Sequence, residues 1–69
     1  MKTRYKIKKK NINGEKTYFL FYNEQILERN ILPDNLRPLV QDWLGTNNWH
    51  GEVMSRNSRT VTYEVMLDD

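Results

Sequence analysis

The fold is decided by residues 3–22, which read TRYKIKKKNINGEKTYFLFY. Tyr5 and Ile7 alternate with charged residues, the period of two that is typical of a strand with one buried face. Asn13 and Gly14 then predict a reversal, because glycine accepts a positive φ without a Cβ clash, and the aromatic run after them favours a second strand. Residues 1–22 are therefore expected to form a basic N-terminal hairpin.

The register of this hairpin depends on its loop. A loop of three residues, 12–14, pairs Ile7 with Phe19, whereas a loop of two residues pairs Ile7 with Leu20. In both registers the second strand is apolar on its two faces, so one set of its aromatic rings must lie beside the cations of the first strand. Those cations are Arg4, Lys6 and Lys8.

The middle of the chain predicts one clear helix. Apolar residues recur at helical spacing in Leu36, Leu39, Val40, Trp43 and Leu44. Gly45 follows where a left-handed cap ends a helix, so we expect a helix over residues 34–45 that covers the sheet, with Trp43 as a core anchor. Residues 23–30 before it are compatible with a short helix or with a turn and a short strand.

Alternating apolar residues predict a second hairpin over residues 49–67. A three-residue loop at 56–58 would pair Trp49 with Val65 and set His50 opposite Glu64. The expected fold class is α+β, with the order ββαββ: a small antiparallel sheet of two hairpins packed by one main helix.

Length and composition limit the function classes. With 69 residues the chain predicts a single domain, 1–69, and without cysteine it has neither disulfides nor a thiolate zinc site. The longest apolar run, residues 18–22, is too short for a membrane span or a signal peptide, so we expect a cytoplasmic protein that does not enter membranes. No cofactor or metal motif occurs, and we expect neither group.

Charge is unevenly distributed along the chain. Residues 1–16 carry seven cations against the single acid Glu15, whereas residues 17–69 carry four cations against eight acids. A basic stripe of this kind matches either a phosphate backbone or the lysines that protect the open edge of a sheet. From the sequence, protection of a sheet edge is the simpler interpretation, because the net charge of the whole chain is only +2.

Three surfaces are candidates for binding. The first is the basic and aromatic face of the N-terminal hairpin, the second is the loop of residues 47–50 that leads into the second hairpin, and the third is an exposed strand edge that could add a strand from a partner. The residues selected from the first two are Arg4, Lys6, Lys8, Lys10, Tyr18, Phe21, Tyr22, Trp49 and His50.

The first functional hypothesis is a small non-catalytic interaction protein that binds and blocks or modulates a larger protein or nucleoprotein, or pairs as a homodimer. The abundance of Asn and Lys is typical of AT-rich genomes such as many phages carry, where short inhibitory proteins are common. The alternative is nucleic-acid binding, with lysines on phosphates and aromatic rings on bases.

A second alternative is a small ribonuclease that depends on His50. Its polar neighbours in the sequence are Glu52, Arg56, Arg59 and Glu64. Cross-strand His–Glu and Arg–Glu pairs are common on ordinary sheets, and no nucleophile or metal set accompanies this one. We therefore assign no catalytic residue.

Overall fold

The computed structural model describes residues 1–68, which form five strands and one helix. The elements are β1 (Lys2–Ile12), β2 (Glu15–Tyr22), β3 (Gln25–Ile31), α1 (Pro33–Leu44), β4 (Trp49–Arg56) and β5 (Thr60–Leu67). The strands make one antiparallel sheet in the order β3-β2-β1-β5-β4. The expected α+β class is confirmed, and β1 lies at the centre of the sheet.

The first hairpin adopts the two-residue loop. Asn13 and Gly14 have φ angles of 53° and 81°, and Ile7 pairs with Leu20. Positive φ at both positions gives the turn a twist that matches the right-handed twist of the strands. Leu20 therefore shares the buried face with Ile7, and Phe19 lies on the opposite face of the sheet.

The expected order ββαββ lacks one strand. Asn23 and Glu24, with φ angles of 49° and 68°, form a second tight turn, and residues 25–31 pair with β2 instead of forming a helix. This pairing satisfies the backbone groups along the outer edge of β2 and buries Ile31. The order of elements is thus βββαββ.

Helix α1 begins and ends close to the predicted residues. Gly45 has a φ of 75°, and its N–H donates to the carbonyl of Gln41 at 2.8 Å, which closes the helix as expected. The prediction for Trp43 is wrong, because its side chain is 43 % exposed and its Nε1 donates to Glu28. Trp49, at the start of β4, is 5 % exposed and occupies the core instead.

Over residues 49–53 the second hairpin differs from its predicted register by two residues. Trp49 pairs with Leu67 and His50 with Met66, so His50 does not face Glu64. Two local features set this register: Asn57 pairs with Thr60 across a short turn, and an irregularity interrupts the pairing between Val53 and Ser55. A shift of two keeps each side chain on its predicted face, because side chains alternate.

The core lies on one face of the sheet, beneath α1. Its buried members are Ile7, Leu20, Ile31, Val40, Trp49 and Val65. Within residues 1–68 the only helix lies on this side, so the opposite face has no element packed over it. We call the face of the sheet opposite the core the open face.

Candidate functional site

A row of lysines runs along the middle of the open face. Lys6, Lys8 and Lys10 alternate with Ile7 and Lys9 on β1, so their side chains share the face opposite the core, roughly 7 Å apart. Because β1 is paired on both sides, these lysines do not protect a sheet edge. The edge-protection interpretation is therefore wrong for this row.

Aromatic rings flank the row on the β2 side. Lys8 Nζ lies 5.4 Å from the ring centroid of Phe21, and Lys10 Nζ lies 5.0 Å from that of Phe19. Both rings are half-buried. A cation over a ring face at this distance is attracted by the ring quadrupole, so each lysine covers its ring while its charge stays in water.

Two of the predicted aromatic residues lie elsewhere. Tyr18 is on the core side, packed against the buried cluster, because it has the same parity as Leu20. Tyr22 has that parity too, and its ring lies 4.7 Å from the ring of Tyr5. Phe19, which the candidate list omits, takes their place beside the lysines, and the two-residue loop is the sequence feature that would have placed it there.

The row is poor in compensating acids. On the β5 side its neighbours are Thr60, Thr62 and Glu64. The Glu64 carboxylate forms an ion pair with Lys2, with 3.2 Å between Oε2 and Nζ. Among residues 1–68, no carboxylate lies within ion-pair distance of Lys6, Lys8 or Lys10. The charges of these three lysines are therefore free to neutralise an external anion.

The row continues past a bulge toward the N-terminus. The pairing of β1 with β5 shifts between Lys2 and Lys6, and the hydroxyl of Thr3 donates to the carbonyl of Val65 there. A hollow of about 390 Å³ opens beside the bulge, and Arg4 is part of its lining. Five cations of β1, namely Lys2, Arg4, Lys6, Lys8 and Lys10, thus lie on or beside the open face.

His50 is held between two carboxylates at the far side of the open face. Its Nδ1 lies 2.6 Å from Asp68 and its Nε2 lies 2.9 Å from Glu52. The hydrogen bonds to Glu52 and Asp68 raise the pKa of His50, because both accept from the protonated ring. With both nitrogens engaged, His50 links β4 to the end of β5.

Of the polar residues considered for a ribonuclease, the structure brings Glu52 to His50 but neither Glu64 nor Arg56. Glu64 pairs with Glu52 rather than with His50. Arg56 lies six residues farther along the extended strand, roughly 20 Å from His50. A general base needs a free ring nitrogen within reach of its substrate, and here each nitrogen has a carboxylate partner.

The raised pKa of His50 predicts a pH-dependent stability. The protonated ring is stabilised in the folded state, so this contribution is complete below the ordinary His pKa of 6.5 and is lost as pH rises through the folded value. We expect the melting temperature of the wild type to exceed that of His50→Gln near pH 6 and this excess to shrink by about pH 8.5. Thermal unfolding followed by circular dichroism measures both, and an excess that grows with pH would contradict the assignment.

The ring of Trp49 is not part of any surface. The Arg37 guanidinium lies 4.2 Å from its centroid and donates to the carbonyls of Asn47 and Trp49 at 3.1 and 3.0 Å. Trp49 is thus a core residue covered by Arg37, whereas Asn47, Asn48 and His50 of the same loop are exposed.

Other kinds of site find little support. Residues 1–68 contain no group of three or more His, Asp or Glu side chains arranged to hold a metal ion. In the same residues, no helix has the length and apolar composition that crossing a membrane requires. The open face is therefore the best candidate site in the described part of the chain.

Comparison with protein-family models, with curated proteins and with solved structures finds no match to this chain. A function for the open face is therefore argued only from the side chains that form it.

Proposed function

We propose that the protein binds single-stranded nucleic acid across the open face, without catalysing a reaction on it. The observation that carries the proposal is the row of Lys6, Lys8 and Lys10 on the central strand, flanked by half-buried rings and without carboxylate partners among residues 1–68. Proteins that bind single strands combine a basic track for the backbone with aromatic rings on which bases stack.

The shape of the face favours a single strand over a duplex. Five strands spaced about 4.8 Å apart make a surface roughly 20 Å wide, whereas the major groove of DNA is about 12 Å wide and takes a helix or a two-stranded ribbon. A flexible single strand can lie along the lysine row. Its bases can then reach Phe19 and Phe21 once the lysines move from the rings to the phosphates.

The open face suits a polyanion better than an apolar protein surface. The Phe19 and Phe21 rings are half-buried beneath lysine side chains, so they do not form a continuous apolar patch. A protein partner covering this face would have to desolvate three ammonium groups that have no carboxylate partner among residues 1–68, which is costly unless the partner supplies matching carboxylates.

Binding to a protein or to a second copy of this chain is the second candidate, and a different surface favours it. Strand β4 forms an edge of the sheet, and its Val53 and Met54 are 51 % and 48 % exposed. An exposed edge of this kind can accept a strand from a partner. Sedimentation velocity over a range of protein concentrations tests self-association, and a mass that stays at that of one chain would contradict the homodimer.

Salt titration tests nucleic-acid binding directly. The probe is a fluorescent oligothymidylate of roughly 12 nucleotides, and its anisotropy reports the Kd. Each phosphate contact contributes about 0.7 to the logarithmic salt slope for a single strand, so three to five contacts predict a Kd that rises roughly 20- to 100-fold between about 50 and 200 mM salt. A duplex of the same length serves as the control, and absence of binding at the lower salt would overturn the proposal.

A further inference from the structure

The hollow beside the β1 bulge differs chemically from the lysine row. Its volume is about 390 Å³, and its lining combines three cations with two carboxylates. The charged and amide residues around it are Lys2, Arg4, Lys6, Asn23, Glu24 and Glu64. It shares Lys6 and Glu24 with a second hollow of about 290 Å³ that contains the Phe21 ring, so the two hollows adjoin.

Glu64 is the unusual member of this lining. On β5 it lies directly opposite Glu52 of β4, and two like charges in opposite positions destabilise a sheet. Its side chain is only 16 % exposed, and its ion pair with Lys2 uses one carboxylate oxygen, Oε2. A carboxylate accepts about four hydrogen bonds, and within residues 1–68 Oε1 has no hydrogen-bond partner. Glu64 therefore keeps acceptor capacity beside the hollow.

This mixture of charges makes the hollow a poorer place for a phosphate than the lysine row. Its two carboxylates offset two of its three cations, so a phosphate is better placed along the row. The lining instead suits a neutral group that presents N–H donors beside acceptors, which describes the edge of a nucleobase. Met54 adds an apolar contact for the face of such a base.

Guanine matches this set of groups best. Its Watson–Crick edge presents two adjacent donors, N1–H and the N2 amino group, which one carboxylate can accept together. Its O6 and N7 are acceptors that Arg and Lys side chains recognise. Adenine and cytosine present a single amino group and thymine a single ring N–H, so each leaves the carboxylate less satisfied.

On the basis of the proposed function, we propose that this hollow takes one unstacked guanine of the bound strand. The Glu64 carboxylate accepts from N1–H and N2–H, and Arg4 donates to O6 and N7, while Lys6 stays with the phosphates of the row. The neighbouring base then stacks on Phe21 in the adjoining hollow. The protein would thus prefer single strands that contain guanine, although its lysine row binds any sequence.

The test compares three oligonucleotides of roughly 12 nucleotides at one salt concentration: oligothymidylate, the same strand with two separated guanines, and that strand with inosine in place of guanine. We expect the guanine strand to bind roughly tenfold more tightly than oligothymidylate, the order of magnitude of one bidentate base contact. Inosine lacks the N2 amino group and should lose most of this preference. Anisotropy gives all three Kd values.

Glu64→Gln locates the preference. The guanine-to-thymine ratio should fall close to one, while overall affinity rises because a negative charge leaves the basic face. Glu52→Gln is the matched control, since it removes the same charge from the same face one strand away, and it should raise affinity without changing the ratio. Glu24→Gln, at an exposed turn, is a second variant expected to lower the ratio if Glu64→Gln folds poorly.

The outcomes separate this inference from the function on which it rests. Equal binding of the three oligonucleotides would overturn the guanine site and leave the binding function intact. A guanine preference that survives both Glu64→Gln and Glu24→Gln would overturn the site's location. Failure of all three oligonucleotides to bind would overturn the proposed function and the guanine site together.

Discussion

Reversing the charges of Lys6 and Lys8 together, as Lys6→Glu with Lys8→Glu, is expected to weaken oligothymidylate binding by about a hundredfold at low salt. Two phosphate contacts are lost, and two carboxylates are placed where the strand would lie. The salt slope should fall by about 1.4, because each lost contact on a single strand removes about 0.7. Anisotropy titrations at several salt concentrations measure both quantities.

The chain offers a closely matched control for this experiment. Lys9 lies between Lys8 and Lys10 on the same strand but points to the core side of the sheet, as does Lys16 on β2. The double variant Lys9→Glu with Lys16→Glu therefore changes the net charge by the same amount on the other face. We expect it to weaken binding only severalfold, through the long-range field of the protein.

The comparison of the two double variants decides whether binding depends on the open face or only on the net charge of the protein. Equal losses in both would mean that only net charge matters, and the open face would then not be the site. A loss confined to the first variant, with both proteins giving the same circular dichroism spectrum as the wild type, would support the open face.

Local sequence features predicted the parts of the fold that local physics controls. The turn at Asn13 and Gly14 and the helix cap at Gly45 depend on backbone angles that few residues accept, so these elements were identified correctly. Alternation likewise assigned the faces of β5, whose Val65 is fully buried as expected.

The position of the lysine row was beyond the reach of local features. Nothing in residues 2–12 indicates whether β1 is an edge or a central strand, because its pairing with β5 joins residues 50 to 64 positions apart. The third strand was likewise not evident from local features. Residues 25–31 have no regular alternation, and they form a strand because the edge of β2 is there to pair with. The functional meaning of the lysines depended on this topology.

The candidate site was predicted in part. Four of its cations and Phe21 were selected from the sequence, whereas Phe19 and Glu64 were not assigned to it. Choosing between loop lengths at residues 12–14 would have placed Phe19, since one residue of register moves a side chain to the other face. The role of Glu64 depends on the bulge between Lys2 and Lys6, which no sequence pattern announces.

Trp43 is not the core anchor that was predicted and Trp49 is not a surface ring for binding, and the reason is geometric. Helical spacing puts Trp43 on the apolar stripe of α1, but there its ring extends toward β3, where Nε1 donates to Glu28 at 3.1 Å. Alternation put Trp49 on the same face as Val65, and Trp49 was also selected as a binding residue. In the structure it fills the space between β4 and α1, under Arg37.

We therefore expect Trp49→Ala to cost roughly 3–5 kcal/mol of folding free energy, the usual effect of removing a buried aromatic side chain. A chain of 69 residues is expected to have only roughly 3–10 kcal/mol in total. The variant also loses the stacking of Arg37 on the ring. Urea unfolding followed by far-ultraviolet circular dichroism measures the change without relying on tryptophan fluorescence.

Trp43→Ala is the natural comparison, because it removes the same side chain from a half-exposed position. Its cost should be about 1 kcal/mol, since less apolar area is lost and the hydrogen bond to Glu28 is exposed to water. Trp49→Phe should also cost less than Trp49→Ala, because Phe keeps much of the ring and the indole N–H has no partner among residues 1–68 to lose. Equal costs for Trp43→Ala and Trp49→Ala would contradict the different burial of the two rings and the place of Trp49 in the core.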